Sequence, residues 1–204
     1  RRIQNLMREM GIRSLVSKKY KYKLSISRTH EDLENRLNRN FKSEKRYEKI
    51  VGDITYIKTK DKGRCYLASY MDLYNNEILS YEFGEKMEEE LVLKSLSKLP
   101  LKQLRGSIIH TDRGSQYTSK TYRKKLSELG IRDSYSRRGN PYDNACIESF
   151  HSVLKKELIY ALGEKSFTEL KQYLFEYIEG FYNTRRIQKK LGYLSPRENL
   201  KKIS

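Results

Sequence analysis

Three acidic residues could together hold a hard metal ion. Asp112 follows a short apolar run and precedes Gly114, so the pattern predicts it at the C-terminal end of a buried strand. Asp53 lies in the middle of a second strand-like run, and Glu148 lies on a predicted helix. Carboxylates on rigid elements are the ligands that hard divalent cations prefer. The spacing therefore predicts a metal-dependent site.

Each of these acids also has a structural interpretation. Burying a charge within a strand is costly, so a ligand role is favoured for Asp53. Asp112 could equally be a turn residue, and Glu148 could equally be a solvated helix acid. Asp72 is also acidic and strand-borne, but we expect it to be structural and to lie outside the site.

Alternating and continuous apolar runs predict the elements that must position the acids. Three strands joined by short turns indicate an antiparallel meander, followed by a helix, a fourth strand, a helix and a short fifth strand. We expect an α/β fold with a five-stranded mixed sheet flanked by helices, in which the first and fourth strands are neighbours. The predicted strands are 50–58, 65–73, 78–83, 108–109 and 131–133, and the helices are 88–99 and 118–129.

The helix that carries Glu148 has its own start signals. Pro141 and Asp143 are typical of a helix N-terminus, which places Glu148 in the second turn. Glu148 lies about 100° around the helix from the apolar stripe, so it can face a site at the edge of the core. We expect the three carboxyl groups to converge within roughly 4–8 Å. The preceding loop at Gly139 is expected to be mobile without a ligand, which makes Glu148 the acid most easily displaced.

Composition indicates a polyanionic partner. The 204 residues include 43 Lys and Arg against 26 Asp and Glu, for a formal charge of +17, and such an excess favours nucleic acid. No apolar run approaches the ~18 residues that a membrane span needs, so no membrane partner is expected. Cys65 and Cys146 lack metal-ligand spacing, which favours buried thiols in a reducing compartment.

The chain divides into four predicted segments. Residues 1–25 contain a short basic helix that we expect to be the last helix of a unit upstream. Residues 26–48 are a linker, 49–162 the core, and 163–204 a C-terminal helix and basic tail. The capping box Ser166-Phe167-Thr168-Glu169 begins that helix, and its apolar stripe, which ends at Phe181, is expected to pack in the core. In the first segment, Lys18 and Lys19 alternate with aromatic residues, a pattern that suits nucleic-acid contact or simply a solvated linker.

An ordered set of motifs identifies a family. The chain resembles the catalytic subunit of bacterial insertion-sequence transposases of the "IS three" group, which are of DDE type, have an integrase catalytic core and are relatives of retroviral integrases. The 35 residues between the second and third acids are a hallmark of that family. The matching pieces are Gly52-Asp53-Ile54-Thr55-Tyr56-Ile57, His110-Thr111-Asp112-Arg113-Gly114-Ser115-Gln116-Tyr117, Asp143-Asn144-Ala145 with Glu148-Ser149-Phe150, Leu154-Lys155 with Glu157, Tyr182-Asn183 with Arg186, and Leu191-Gly192-Tyr193 with Ser195-Pro196.

The resemblance implies a fold, a location, an activity and a cofactor. Residues 1–25 would be the end of a helix-turn-helix-like DNA-binding region, and residues 49–162 a ribonuclease H-like catalytic core. The location would be the bacterial cytoplasm around the nucleoid. The family's acidic triad falls on Asp53, Asp112 and Glu148. The implied activity is metal-dependent cleavage and strand transfer of DNA at the ends of a bacterial insertion sequence. Two Mg²⁺ or Mn²⁺ ions would serve, with Asp53 bridging both and the other two acids holding one each.

The resemblance also implies partners. These are DNA, as element ends and as target, further copies of the chain on that DNA, and a helix-turn-helix segment encoded upstream, separate or fused. We predict the DNA contacts at Lys18, Lys19, Arg137, Arg138, Asn144, Lys155, Lys156, Arg185 and Arg186.

Two other functions remain open at this stage. One is a metal-dependent nuclease of the same fold that cuts DNA without joining it, against which the basic N-terminal helix and C-terminal tail argue. The other is a catalytically inactive DNA-binding relic, against which the intact acidic triad argues.

Overall fold

The computed structural model of the chain describes residues 2–12 and 33–203. The predicted DNA contacts Lys18 and Lys19 lie outside the described residues. Helix α1, Arg2–Glu9, has no buried residue, and its apolar residues Ile3 and Leu6 are exposed.

A mixed sheet of five strands forms the centre of the described part of the chain. Its order is β3-β2-β1-β4-β5. The first three strands form the predicted antiparallel meander, and β4 and β5 run parallel to β1. The α/β prediction is confirmed. The strands are β1 Lys49–Thr59, β2 Gly63–Asp72, β3 Ile78–Gly84, β4 Ile108–Thr111 and β5 Arg132–Tyr135.

The predicted neighbourhood of the first and fourth strands is also confirmed. β4 pairs with only the beginning of β1, and the last pair in this register is Val51 with His110. Asp53 and Asp112 each come two residues after that pair. Because parallel strands run in the same direction, both acids lie at the end of the sheet where β1 and β4 separate.

Helices cover both faces of the sheet. Ile50 and Tyr70 belong to a core under α2, α3 and α4, whereas Val51 and Ile57 belong to a second core under α5 and α7. Neighbouring positions on β1 thus point to opposite faces, as strand geometry requires. The helices are α2 Glu89–Ser97, α3 Ser115–Thr118, α4 Lys120–Glu128, α5 Ala145–Leu154, α6 Tyr160–Leu162, α7 Phe167–Phe175 and α8 Pro196–Ile203.

The start of α5 differs from the prediction. A 3-10 turn, Pro141–Asn144, precedes the helix, so Glu148 lies in the first turn of α5 and not the second. Asp143 does not cap the helix, because its carboxylate accepts hydrogen bonds from other segments. After Leu154 the chain continues through a π-helical turn, Lys155–Ile159, into α6.

The C-terminal helix begins as predicted and then departs from the α-helical pattern. Ser166 and Glu169 form the predicted capping box. A π-helical stretch, Glu176–Tyr182, then adds residues to each turn. Tyr182 is consequently buried, while Phe181, predicted to be in the core, is 42% exposed. None of the helices described is long and apolar enough to cross a membrane.

Candidate active site

Asp53 lies on β1 and is contacted from both a neighbouring strand and a helix. It pairs in register with Ser69 of β2. The Nδ1 atom of His151, on α5, lies 3.3 Å from Oδ2 of Asp53, and Nε2 of the same ring lies 2.7 Å from Oγ of Ser69. His151 is buried. The imidazole therefore fixes the orientation of the Asp53 carboxylate against the sheet.

Asp112 follows β4 in a tight turn. Its Oδ1 accepts a hydrogen bond from the backbone N–H of Gly114 at 2.9 Å. A Cβ on Gly114 would lie 3.0 Å from that same oxygen, so the turn favours glycine. The surrounding protein atoms and the charge of Asp53 raise the pKa of Asp112 to about 6, although its side chain remains accessible to solvent.

A buried histidine anchors the strand that delivers Asp112. Both ring nitrogens of His110 lie within hydrogen-bonding distance of serine hydroxyls, at 2.8 Å to Ser134 and 3.1 Å to Ser136. Burial lowers the pKa of His110 to about 4, so the ring is neutral at physiological pH. β4 is thereby held against β5 up to the residue before the acid.

Glu148 projects from the first turn of α5 and is partly buried. Ile147 and Phe150, its neighbours on the predicted apolar stripe, are in the core. Burial, followed by the charges of Asp53 and Asp112, raises the pKa of Glu148 to about 7. The three predicted acids therefore act on one another electrostatically from three separate elements.

The acids do not form a closed metal cage. Within residues 2–12 and 33–203, no three His, Cys, Asp or Glu side chains lie close enough together to hold a metal ion as a group. The chemistry of the donors nevertheless suits Mg²⁺ or Mn²⁺, because these are carboxylates whose mutual repulsion a divalent cation would relieve. The predicted sharing of metal ions by all three acids stays a prediction.

Asp72 has a different environment. It is fully buried, and its carboxylate accepts backbone N–H bonds from Tyr47 at 2.8 Å and Tyr74 at 3.0 Å. Burial raises the pKa of Asp72 to about 6. It pairs with Ile50, three positions along β1 from Asp53. These contacts hold the turn between β2 and β3.

Two predicted DNA contacts lie beside the acids. The side-chain N–H of Asn144 donates to the carbonyl oxygen of Gly52 at 3.1 Å, while its buried Oδ1 accepts no hydrogen bond from the described residues. The Nζ atom of Lys155 lies 4.5 Å from the centre of the Tyr56 ring. Burial lowers the pKa of Lys155, and the charge of Asp53 opposes that effect. Lys155 is therefore a cation at the edge of the acidic group.

The remaining predicted DNA contacts fall into two groups. Arg137 donates to Asp143, and Arg186 forms an ion pair with Glu157, with Nη2 to Oε1 at 2.6 Å. Arg138, Lys156 and Arg185 are exposed.

Sequence reasoning missed two residues at this site. His151 follows Glu148 by three positions on α5, and that helical spacing could have indicated a shared face. Tyr117 is buried, and its hydroxyl makes no hydrogen bond within the described parts of the chain. Burial raises the pKa of Tyr117, and the charges of Asp53 and Asp112 contribute. No local pattern marks this tyrosine, because its relation to the acids is set by the fold.

Known protein families match most of the chain. A family model described as the integrase core domain matches residues 43–141, and a second of the same description matches residues 129–196. The transposase for insertion sequence element IS904 of Lactococcus lactis is 39% identical over 206 residues, covering 97% of this chain and 79% of that protein. The putative transposase InsK for element IS150 of Escherichia coli is 35% identical, covering 96% and 69%.

Solved structures show the same fold. The HTLV-2 integrase catalytic core domain in complex with magnesium gives a TM-score of 0.56 at 14% identity, over 77% of this chain and 98% of that chain. A chain of the simian T-cell lymphotropic virus intasome gives 0.58 at 18% identity, over 83% of this chain and 56% of that one. The predicted ribonuclease H-like integrase core is confirmed.

Proposed function

This chain belongs to the integrase-core family of insertion-sequence transposases, and we propose that Asp53, Asp112 and Glu148 are its catalytic metal ligands. Family membership makes the protein a DNA transposase that performs polynucleotidyl transfer. One observation supports the site most directly. Two carboxylates with raised pKa values, Asp112 and Glu148, lie within electrostatic reach of Asp53, where β1 and β4 separate.

The proposed cofactor is a pair of divalent cations, Mg²⁺ or Mn²⁺. Asp53, Asp112 and Glu148 would hold these ions. When bound, such a pair polarises the phosphodiester and stabilises both the attacking and the leaving oxygen. The magnesium in the HTLV-2 integrase core supports this assignment by likeness of fold. Within the chain itself, His151 orients Asp53, and Lys155 supplies positive charge for the phosphate.

The proposed reaction has two transfers. In the first, a water oxygen attacks a phosphorus at the element's end, the P–O3′ bond breaks, and the released 3′-oxygen is protonated. In the second, that 3′-hydroxyl loses its proton and attacks a phosphorus of another strand. A new P–O bond forms, the bond from that phosphorus to its own 3′-oxygen breaks, and the leaving 3′-oxygen takes up a proton. Neither transfer forms a covalent bond between the protein and the DNA.

DNA contact is proposed at exposed basic residues and at residues beside the acids. Lys156, Arg138 and Arg185 are accessible for phosphate contact, and Asn144 and Lys155 lie next to the acids. Arg137 and Arg186 could reach DNA only by sharing or exchanging their acidic partners. Assembly of several copies on DNA, and a helix-turn-helix segment upstream, complete the proposal.

Replacing one ligand tests the metal site. We expect Asp112→Asn to reduce cleavage of a labelled element-end duplex by at least about a thousandfold, because ligation of the ions is lost. DNA affinity should change little, because phosphate contacts come from Lys and Arg. Single-turnover cleavage and binding are measured on one preparation in Mg²⁺ and in Mn²⁺.

Asp133→Asn is the matched control. The hydrogen bonds from Arg123 and Tyr135 both go to one carboxylate oxygen of Asp133, Oδ2, so the oxygen of an amide can accept them and cleavage should persist. Cleavage by Asp112→Asn at the wild-type rate would refute the assignment. Joining of the labelled 3′-hydroxyl end to a plasmid separates a transposase from a nuclease of the same fold.

A further inference from the structure

Asp143 is a buried acid that joins three segments of the chain. Its carboxylate accepts hydrogen bonds from the backbone N–H, Nε and Nη2 of Arg137 at 2.9, 2.9 and 3.0 Å. It also accepts from Nε of Arg39 at 2.7 Å and from Nδ2 of Asn35 at 2.9 Å. The side chain is fully buried. These bonds hold the pKa of Asp143 well below its ordinary value, so the group stays ionised.

Residues 33–40, which we call the strap, contact Asp143 and lie along β5, a strand at the edge of the sheet. The backbone N–H of Tyr135 donates to the carbonyl of Glu34 at 2.9 Å, and that of Leu37 donates to Oγ of Ser134 at 3.1 Å. Leu37 is buried in the core under α5. The strap is thus fastened to β5 along its length, about a hundred residues away in sequence.

The strap also reaches the turn of the second acid. Arg113, which follows Asp112 directly, donates from Nη2 to the carbonyl of Leu33 at 3.0 Å and from Nε to the carbonyl of Ser136 at 2.9 Å. The strap therefore contacts both the turn that carries Asp112 and the turn that leads into the helix of Glu148.

The backbone of the strap adopts an uncommon conformation where it meets Asp143. Asn38 and Arg39 both have positive φ values, 41° and 60°. A left-handed conformation is strained for a residue with a Cβ such as arginine, and surrounding contacts must hold it. The ion pair between Arg39 and Asp143, together with the bond from the Asn38 N–H to Oδ1 of Asn35 at 2.7 Å, provides such contacts.

The start of α5 depends on this arrangement. Asn144, at the N-cap position, makes no side-chain cap bond. The turn Pro141–Asn144 is instead fixed through Asp143, which lies two residues before the helix begins. Since Glu148 is in the first turn of that helix, its position follows the turn.

We infer that Asp143 is a positioning residue for Glu148, and that the strap, through Arg39 and Asn35, holds it in place. The inference rests on the proposed role of Glu148 in the metal site. The strap precedes β1 in the chain, and in this arrangement it helps to align the three acids. Loss of Arg39 would let the first turn of α5 move while the sheet and the rest of the core stay folded.

The chain contains a matched control for this idea. Arg36 lies three residues earlier in the strap and is as exposed as Arg39, at 42% against 43%. It pairs with Glu34 and donates to the carbonyl of Asp133, but makes no bond to Asp143. Arg39→Gln and Arg36→Gln therefore remove the same charge from the same segment.

The two cysteines of the chain report on the movement without any need for activity. Cys146 is partly buried in the first turn of α5, two residues from Glu148, and Cys65 is fully buried in β2. We expect Arg39→Gln to speed modification of Cys146 by a small thiol reagent by at least about tenfold, since a hydrogen bond to a charged group shifts an opening equilibrium by that much. Cys65 should stay protected, and Arg36→Gln should leave both rates within about twofold of wild type.

Kinetics on the full chain then distinguish positioning from stability. Arg39→Gln should lower the single-turnover cleavage rate more than Arg36→Gln does, with equal DNA affinity for the two variants, and Arg39→Lys should restore part of the rate. Equal Cys146 rates in the two glutamine variants would overturn the inference, as would loss of Cys65 protection in step with Cys146. If the proposed metal site were wrong, the thiol result would stand while the cleavage difference disappeared.

Discussion

Asp53, Asp112 and Glu148 carry an electrostatic cost when no cation is bound. The raised pKa values of the last two show that their ionised forms are disfavoured by burial and by the neighbouring charges. Clustered like charges of this kind are typical of functional sites. The same repulsion becomes favourable binding energy for a divalent cation.

Because the ionised form of Glu148 is disfavoured in the folded protein, the stability of the protein should depend on pH. The pKa of Glu148 rises from 4.5 to about 7 on folding, so the folded protein binds more protons than the unfolded chain between those values. The free energy of unfolding contributed by this group therefore falls as pH rises through that window. With screening by solvent taken into account, Glu148→Gln should raise the melting temperature at pH 8 by about 2–4 °C, the effect of about 1 kcal/mol in a domain of this size.

The comparison is made in EDTA at about pH 3.5 and at pH 8. The lower pH is below both the folded and the unfolded pKa of Glu148, so the group is largely protonated in both states and the two proteins should melt together. His110, whose pKa burial lowers to about 4, acts in the opposite sense but is present in both proteins, so the difference isolates Glu148. A melting difference that does not change with pH would contradict the prediction.

His151 should matter for the use of the metal ion. Its imidazole holds Asp53 at 3.3 Å, and Ser69 holds the opposite ring nitrogen. Groups that orient a ligand typically contribute 10–100-fold to affinity or activity. We expect His151→Phe to raise the Mg²⁺ concentration for half-maximal cleavage by about tenfold or more, with DNA affinity unchanged.

Ser69→Ala provides the comparison for His151. It removes the second contact of the ring but leaves the contact with Asp53, so its effect on the Mg²⁺ requirement should be smaller. An unchanged requirement in His151→Phe would mean that the imidazole only fills space.

A functional residue is easiest to predict from sequence where its polarity differs from that of its neighbours in the chain. An acid inside an apolar strand, such as Asp53, is visible in the sequence. The partner role of His151 is not, because Ser69 and Asp53 come together with it only when β2 and α5 pack on β1. Asp143 was predicted to start a helix, and its partners Arg39 and Asn35 lie about a hundred residues away. No local pattern could indicate them.

At the element scale, one glycine decides how β1 can lie beside its neighbours. A Cβ on Gly52 would lie 2.6 Å from Cε1 of Tyr70 and 3.2 Å from Cγ2 of Thr111. Tyr70 cannot easily move, because it is buried and its hydroxyl lies 2.9 Å from that of Tyr122. The close approach sets the strand that carries Asp53 against the strand that delivers Asp112.

Gly52→Ala should therefore destabilise the protein. Overpacking of a closed core costs about 1–3 kcal/mol, which corresponds to a fall in melting temperature of several degrees here. Gly180→Ala is the control, because a Cβ there meets nothing within 4 Å and alanine is the better helix former. Equal melting temperatures for wild type and Gly52→Ala would show that Tyr70 can relax.

The elements themselves were predictable to different degrees. The five strands, and the pairing of β1 with β4, followed from apolar runs and from the requirement that two acids meet. The π-helical stretch Glu176–Tyr182 did not, since a regular α-helical stripe predicts Phe181 in the core where Tyr182 lies instead. Tertiary packing of the aromatic rings of Phe150 and Tyr182, whose centres are 4.8 Å apart, outweighs the local period.

Across the whole chain, part of the positive charge is already paired with acidic residues of the fold. Although Lys and Arg exceed acids by 43 to 26, several guanidinium groups already neutralise acids of the fold. Arg46 and Arg197 both pair with the buried Glu77, and Arg186 pairs with Glu157. Such groups stabilise the protein and contribute less to a phosphate surface, so the net charge alone overstates the number of DNA contacts.

The salt dependence of DNA binding should reveal this division. Each phosphate contact lowers the slope of log affinity against log salt by about 0.9 for duplex DNA, because counterions are released.

Lys156 is exposed and has no ion pair within residues 33–203, so Lys156→Gln should make the slope shallower by about 0.9. Arg186→Gln should leave the slope unchanged, because Glu157 already holds that charge. The measurement is a titration of duplex affinity between about 50 and 200 mM salt. A flat wild-type plot would mean that the positive charge serves only to keep the protein in solution. A slope that is shallower than wild type by the same amount in both variants would mean that Arg186 exchanges Glu157 for phosphate when DNA binds.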